Sequence, residues 1–311
     1  MSKISVVITT YKRPVLVIDA IKSCLNQTSL PYEILIGDDS PDNLTADAIA
    51  NLHNDTTVLI RYIHNVPSLK QSRNVNMLFN EAAGDKLVLL HDDDLLLPES
   101  LETLANVFEE HPSVCIAYGK QHIISENGEI DPVSSISFNE DFYRRAELEG
   151  SVMTPFEAGM SQQIPNNGYM IRTEVARQLM WRTDIGDGCE YDFGFRLGEA
   201  GYRTYFVNKF LGMYRLSSQS ISGAGGSDMA YQSFRIMRDC QAETPLAQSV
   251  RSRRLYERAP IAITECALRG YRKEALSIFF SKWYRSKILS PRGIKRMAYI
   301  LFFPIFNKVV K

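Results

Sequence analysis

Three consecutive carboxylates, Asp92-Asp93-Asp94, interrupt an apolar stretch that runs from Leu87 to Leu90 and resumes at Leu95-Leu96-Leu97-Pro98. Adjacent Asp side chains repel one another and resist burial, so their charge must be offset. A hard divalent cation does this well: Mg²⁺ or Mn²⁺ prefers carboxylate oxygens and leaves coordination positions open for phosphate. An acidic loop that merely follows a strand is the alternative. Two further polar clusters weigh against it, Thr9-Thr10-Tyr11-Lys12-Arg13 and Asp38-Asp39-Ser40, because each also closes a short apolar run.

The elements that must position these clusters are legible from pattern. Ile4–Ile8 and Glu33–Gly37 are short, apolar and rich in β-branched residues, which predicts buried strands. Pro14 suits the first turn of a helix running to about Asn26, and Pro41-Asp42 opens another to about His53. A strand over Thr57–Ile63, a helix over Ser72–Ala83 stopped by Gly84, a strand over Lys86–Leu90, a helix over Pro98–Glu110 and a strand over Val114–Tyr118 follow. Strands alternating with helices predict an α/β fold with a mainly parallel sheet. In such sheets ligands bind beyond the carboxyl ends of the strands. All three clusters sit at such ends, so the fold rule places them along one crevice. Neither GxGxxG nor GxxxxGK[ST] occurs, which disfavours a dinucleotide oxidoreductase and a P-loop enzyme.

Beyond Gln121 the pattern weakens. Glu126-Asn127-Gly128 predicts a hairpin turn, and residues 131–165 predict a long loop with short helices, of the kind that serves as a lid or acceptor-binding segment. Strands are expected at Asn167–Arg172, Tyr202–Val207 and Phe210–Tyr214, and helices at Thr173–Met180 and Tyr191–Ala200, with Gly201 as the stop. Ser217–Ser227 reads as a flexible polar loop, and everything after it as helix.

With 311 residues, 45% hydrophobic, the chain is long enough for one large domain and a smaller addition. Its start shows no secretory pattern, and five dispersed cysteines without a CxxC pair argue for reduced thiols, so a cytoplasmic location is expected. The net charge of −1 hides a split: residues 251–311 carry 15 Lys and Arg against three Glu. Residues 297–310 are strongly apolar, but fourteen residues broken by Pro304 fall short of a span, which takes roughly 20. A basic amphipathic tail fits attachment to the surface of a membrane. The alternative is a helical cap packed on the catalytic domain or on a second copy of the chain. Nucleic acid is disfavoured as a partner by the enzyme-like front half.

Taken in order, Ser5–Pro14, Glu33–Ser40, Gln71-Ser72-Arg73-Asn74, Ala83-Gly84-Asp85 and the triple Asp resemble the inverting glycosyltransferases of family 2, which have the GT-A fold. The resemblance covers residues 3–120 and, less fully, 165–222. It implies a GT-A catalytic domain over 1–225, divided into a nucleotide-sugar half (1–120) and an acceptor half (121–225), and a helical, basic C-terminal region over 226–311. It also implies that Thr9, Tyr11, Arg13, Asp38, Asp39, Arg73 and Asp92 serve the nucleotide-sugar. A carboxylate accepts the N3–H of uracil or thymine, and an aromatic ring stacks on the base. Counting back from Pro98, the metal-binding Asp of the family falls on Asp93, with Asp94 beside it. The family's catalytic base, six residues before an Arg, falls on Glu190 ahead of Arg196, with Asp192 and Asp187 as rivals. Three positions depart from the family pattern: His91, Cys189 and Ser217 stand where it has an acid, an acid and a His.

The expected activity is transfer of a sugar from a UDP- or dTDP-linked donor to a hydroxyl of a glycan or lipid-linked acceptor, with Mg²⁺ or Mn²⁺, in cell-surface polysaccharide synthesis at the inner face of the membrane. A sugar nucleotidyltransferase is the rival enzyme, disfavoured because Thr9–Pro14 lacks glycine. A catalytically degenerate sugar-nucleotide-binding subunit is the rival outside enzymology.

Overall fold

The computed structural model describes residues 3–50, 52, 57–216 and 227–309, with side chains to residue 302. The expected helix end near His53, most of the polar loop with Ser217, and the side chains of the closing aromatic run fall outside the described residues. The chain forms two compact units: residues 1–183 with 193–217, and residues 184–192 with 218–311.

The first unit begins with four β/α repeats that follow the predicted pattern. β1 (Ile4–Thr10), β2 (Glu33–Asp38), β3 (Leu59–His64) and β4 (Lys86–His91) are joined through α1 (Pro14–Leu25), α2 (Leu44–Ala50) and α3 (Gln71–Glu81). β1 pairs in parallel with β2 and β4, and β2 with β3. Val6, Ile8, Ile34, Ile36, Val88 and Leu90 are fully buried, which is why these strands read as continuous apolar runs. α1 buries Val17, Ala20, Ile21 and Cys24 against them, at helical spacing.

The remainder of the sheet is mixed. β5 (Leu95–Leu96), α4 (Ser100–Glu110), β6 (Ile116–Ile124), β7 (Ile130–Asp131), α5 (Pro132–Asp141), α6 (Pro155–Ser161), β8 (Met170–Arg172), α7 (Thr173–Leu179), α8 (Cys189–Glu199) and β9 (Thr204–Arg215) follow in order. The strand order is β3-β2-β1-β4-β8-β6-β9-β5, with β7 on β6. β8 runs antiparallel to both neighbours, while β6 and β9 are parallel.

Two local expectations change and one is sharpened. The region read as a long loop with short helices holds the ten-residue α5, started by Pro132 and capped where the Asp131 carboxylate accepts from the Ser134 amide. Its polar, unpatterned sequence left the bounds of that helix unassigned. The two short strands expected over 202–214 are one twelve-residue strand, β9, which follows β6 through a register shift at Gly119. A Cβ on Gly119 would lie 2.7 Å from Leu211 atoms, so only glycine allows the approach there. The expected helix at Pro98 starts at Ser100, whose hydroxyl bonds the carbonyls of Leu97 and Leu211.

The second unit is helical: α9 (Met229–Asp239), α10 (Pro245–Leu268), α11 (Arg272–Phe279) and α12 (Pro291–Val309). Val250, Leu255, Ala259, Ile263 and Cys266 of α10 are buried, as are Phe234, Met237, Ile278 and Phe279. The Glu265 carboxylate accepts the amides of Ala230 and Tyr231 at the start of α9, a favourable end for negative charge, although burial raises its pKa. All five cysteines are free thiols. Among the described residues, no helix is long and apolar enough to cross a membrane.

Candidate active site at the strand ends

Parallel register joins the three polar clusters. Thr10 lies opposite Asp38, and Thr9 opposite His91, so the ends of β2, β1 and β4 form one rim. Thr9 is half-buried, Thr10 is buried, and the ring of Tyr11 stands 53% exposed at the rim with the Lys12 ammonium 5.2 Å from its centre. Lys12 adopts φ 56°, which turns the chain sharply, and its amide bonds the Ser40 hydroxyl at 2.8 Å.

Asp92 ties the first and third clusters together. Its Oδ2 accepts from the Thr10 hydroxyl at 2.8 Å and the Tyr11 amide at 3.4 Å. Its Oδ1 accepts from Arg13 at 2.8 Å, and the same guanidinium nitrogen reaches Asp93 Oδ2 at 2.7 Å. Burial pushes the Asp92 pKa up, and Arg13 opposes that shift. Arg13 is therefore a counter-ion to two of the three carboxylates.

The second cluster is held from within. Asp38 is fully buried and accepts from the Tyr62 hydroxyl and the Ser40 amide, both at 2.8 Å. Burial and the Asp38 carboxylate together push the Tyr62 phenol up. Asp39 Oδ1 accepts from Asn65 at 3.0 Å and the Leu69 amide at 3.1 Å. Arg73 is exposed on α3. Its neighbour Asn74 anchors the segment instead, donating to the Gly37 carbonyl at 2.8 Å and accepting from Asn65 at 3.2 Å. A Cβ at Gly37 would lie 2.1 Å from the Asn74 amide oxygen, which explains the glycine inside β2.

The triple Asp divides by role. His91, Asp93 and Asp94 bring one ligand atom each to within 4.8 Å of one another, an arrangement able to hold a metal ion. Asp92 is absent from this group, because its oxygens face Thr10, Tyr11 and Arg13. Asp94 is almost fully buried; its Oδ1 accepts from the Arg215 amide and its Oδ2 from the Asn167 side chain, both at 2.8 Å. Burial and the nearby Asp93 charge push the Asp94 carboxyl up to about 7. The Asn167 Nδ2 also lies 3.3 Å from His91 Nδ1. Arg215 is 6% exposed. Its guanidinium bonds the carbonyls of Asp93, Ser125 and Glu126. It staples the turn. Asn167 and the Arg215 amide were missed by sequence reasoning; no local pattern connects them to Asp94.

Glu190 and Asp192 lie in the first turn of α8, in the part grouped with the helical unit. Glu190 is half-buried and Asp192 is buried. Asp187 is engaged in a clasp: its amide bonds Asp228 Oδ1 at 3.0 Å, and its Oδ2 accepts the Asp228 amide at 3.2 Å, with Arg269 beside both. That engagement suits a structural acid better than a base.

This sheet, its rim of acids and its appended helices define a GT-A protein. Residues 5–166, more than half of the chain, match the family described as Glycosyl transferase family 2, and residues 86–301 match Glycosyl transferase family group 2. The chain belongs to glycosyl transferase family 2. It is 24% identical over 217 residues to an uncharacterized glycosyltransferase of Methanocaldococcus jannaschii, covering 70% of this chain and 71% of that protein. It is 34% identical over 104 residues to the GalNAc(5)-diNAcBac-PP-undecaprenol beta-1,3-glucosyltransferase of Campylobacter jejuni, a match spanning 33% of this chain and 34% of that one. Among solved structures, S. aureus TarS 1–349 in complex with UDP superposes with a TM-score of 0.63 at 13% identity, covering 98% of this chain and 91% of TarS. The mannosyltransferase PcManGT of Pyrobaculum calidifontis, in complex with GDP-Man and Mn²⁺, gives 0.59 at 16% identity, covering 100% of this chain and 88% of that one.

Proposed function

We propose that this glycosyltransferase is inverting and metal-dependent, and takes a UDP- or dTDP-sugar as donor. The observation that carries the reading is the shared rim. Parallel register sets Asp39 at the end of β2 and the exposed Tyr11 just past the end of β1, and β1 lies next to β4 with its His91, Asp93 and Asp94 group, which supports base recognition and diphosphate binding along one rim. Tyr11 stacks on the base and Asp39 accepts its N3–H. Asp38, fully buried with its oxygens engaged, holds the rim in shape. Asp92 and Arg13 brace the same loop, and Arg13 sets a positive charge near the diphosphate. His91, Asp93 and Asp94 would hold a divalent ion, which supplies charge stabilisation to the leaving diphosphate when bound. The donor set fits such an ion, with two carboxylates and an imidazole converging.

Glu190 takes the role of base from its position in the family motif. It removes the proton of an acceptor hydroxyl as that oxygen bonds the anomeric carbon from the face opposite the diphosphate. The sugar–oxygen bond to the diphosphate breaks with its electron pair, and the product has inverted configuration. UDP and UDP-GlcNAc are bound in structures of TarS, which supports a uridine donor. Resemblance to a glucosyltransferase named for an undecaprenol-linked glycan supports a lipid-linked acceptor, and a role in surface polysaccharide synthesis is proposed with it.

The helical unit supports peripheral attachment to an anionic membrane surface. Phe280, Leu289, Ile294, Leu301 and Phe302 are exposed among the exposed cations Lys282, Arg285, Lys287, Arg292 and Lys295. A panel of UDP-, dTDP- and GDP-sugars with Mn²⁺ or Mg²⁺ tests the enzyme. One donor turned over with anomeric inversion is expected, whereas tight UDP binding without turnover of any donor favours the degenerate binding subunit. Co-sedimentation with anionic vesicles tests the surface: removal of residues 290–311 releases the chain, and retention favours the packing-helix alternative.

A further inference from the structure

The donor set at the end of β4 carries a chemical preference that an all-carboxylate site lacks. His91 closes β4, the turn is tied back by the Asp94 amide on the His91 carbonyl at 3.3 Å, and the imidazole joins Asp93 and Asp94 in one ligand group. A second observation points to the same spot. Asn167 is 1% exposed and its Nδ2 spans Asp94 and His91, yet its Oδ1 has no hydrogen-bond partner among the described residues. A buried amide oxygen without a partner is costly, and an amide oxygen is a good neighbour for a hard cation or for its bound water.

We propose that His91 is a direct metal ligand and sets the metal preference of this enzyme toward Mn²⁺, which accepts a nitrogen donor more readily, over Mg²⁺. The proposal rests on the metal-dependent transferase reading above and adds that the imidazole bonds the ion directly and biases which ion is held. Mg²⁺ favours an octahedron of oxygens, whereas later divalent ions gain from imidazole nitrogen. Asn167 acts as a positioning residue: it holds the ring and Asp94 in one orientation, as neighbouring groups do around metal ligands.

The test uses the full chain with Mn²⁺ alone and with Mn²⁺ plus UDP. Loss of the free Mn²⁺ six-line electron paramagnetic resonance signal reports binding, and pulsed measurements on the bound ion report a coupled ¹⁴N nucleus. The expected result is bound Mn²⁺ with nitrogen coupling in the native chain. In His91→Asp the coupling disappears, and the preference for Mn²⁺ over Mg²⁺ shrinks by about tenfold. Bound Mn²⁺ that depends on Asp93, as shown by Asp93→Asn, but lacks nitrogen coupling in the native chain overturns the His91 assignment while leaving the metal reading intact. No Mn²⁺ binding with or without UDP overturns both. The native spectrum decides the point by itself, so a variant that fails to fold does not blunt the test.

Discussion

The first four strands and the second half of the sheet solve the same problem in different ways. Along β1, β2 and β4 the polar clusters are brought together by parallel register alone: each follows its strand, and neighbouring strands end at the same level. In the second half the contributors arrive singly and out of pattern, Asn167 ahead of β8 and Arg215 at the last position of β9. The first arrangement builds a rim. The second clamps the turn, giving Asp94 one side-chain amide and one backbone amide as donors, while the charge of Asp92 and Asp93 is countered by Arg13 from the first half. Repetitive structure thus lines up the polar clusters, and irregular structure holds the most deeply buried of the three carboxylates.

Asp93→Ala strikes where the two halves meet and has the largest expected effect. Metal-dependent donor turnover should fall by about two to three orders of magnitude, the scale of losing a group that stabilises transition-state charge. Unchanged turnover would refute the ligand assignment. Arg215→Met removes the staple from the second half alone. It leaves the Asp93, Ser125 and Glu126 carbonyls without that donor, and should cost about 3 kcal/mol in chemical denaturation. If stability is unchanged, the clamp is dispensable and the contrast between the halves fails. Asn167→Ala should weaken Mn²⁺ affinity by about tenfold in an equilibrium titration and, by taking one donor from the buried Asp94, cost about 1–2 kcal/mol in chemical denaturation. Thr10→Val tests the first half: loss of its single bond to Asp92 should cost about 1 kcal/mol and leave Mn²⁺ affinity nearly unaltered. A larger effect on metal than that of Asn167→Ala would reverse the division of labour.

Legibility followed the same divide. The β/α alternation to Glu110 was readable because buried parallel strands are continuous apolar runs and their helices carry helical spacing. α5 was not, because its residues Pro132–Asp141 are polar and unpatterned and its stability comes from a cap and from contacts with β6. The division of the triple Asp was only partly readable. Spacing to Pro98 singled out Asp93, but the role of Asp92 as a brace depends on Thr10 and Arg13, some eighty residues earlier.

From sequence alone, residue order and strand-end chemistry determined a mainly parallel α/β sheet with three polar clusters, because these are local properties repeated along the chain, and the resemblance carried by the ordered motifs pointed to the family and its GT-A fold. Tertiary structure alone decided that Arg13 pairs with both Asp92 and Asp93, that His91, Asp93 and Asp94 converge in a group able to hold a metal ion, and that Arg215 is a staple. Those outcomes depend on partners that come close only when distant segments fold together, and charge neutralisation in a buried turn is settled by whichever donors arrive there.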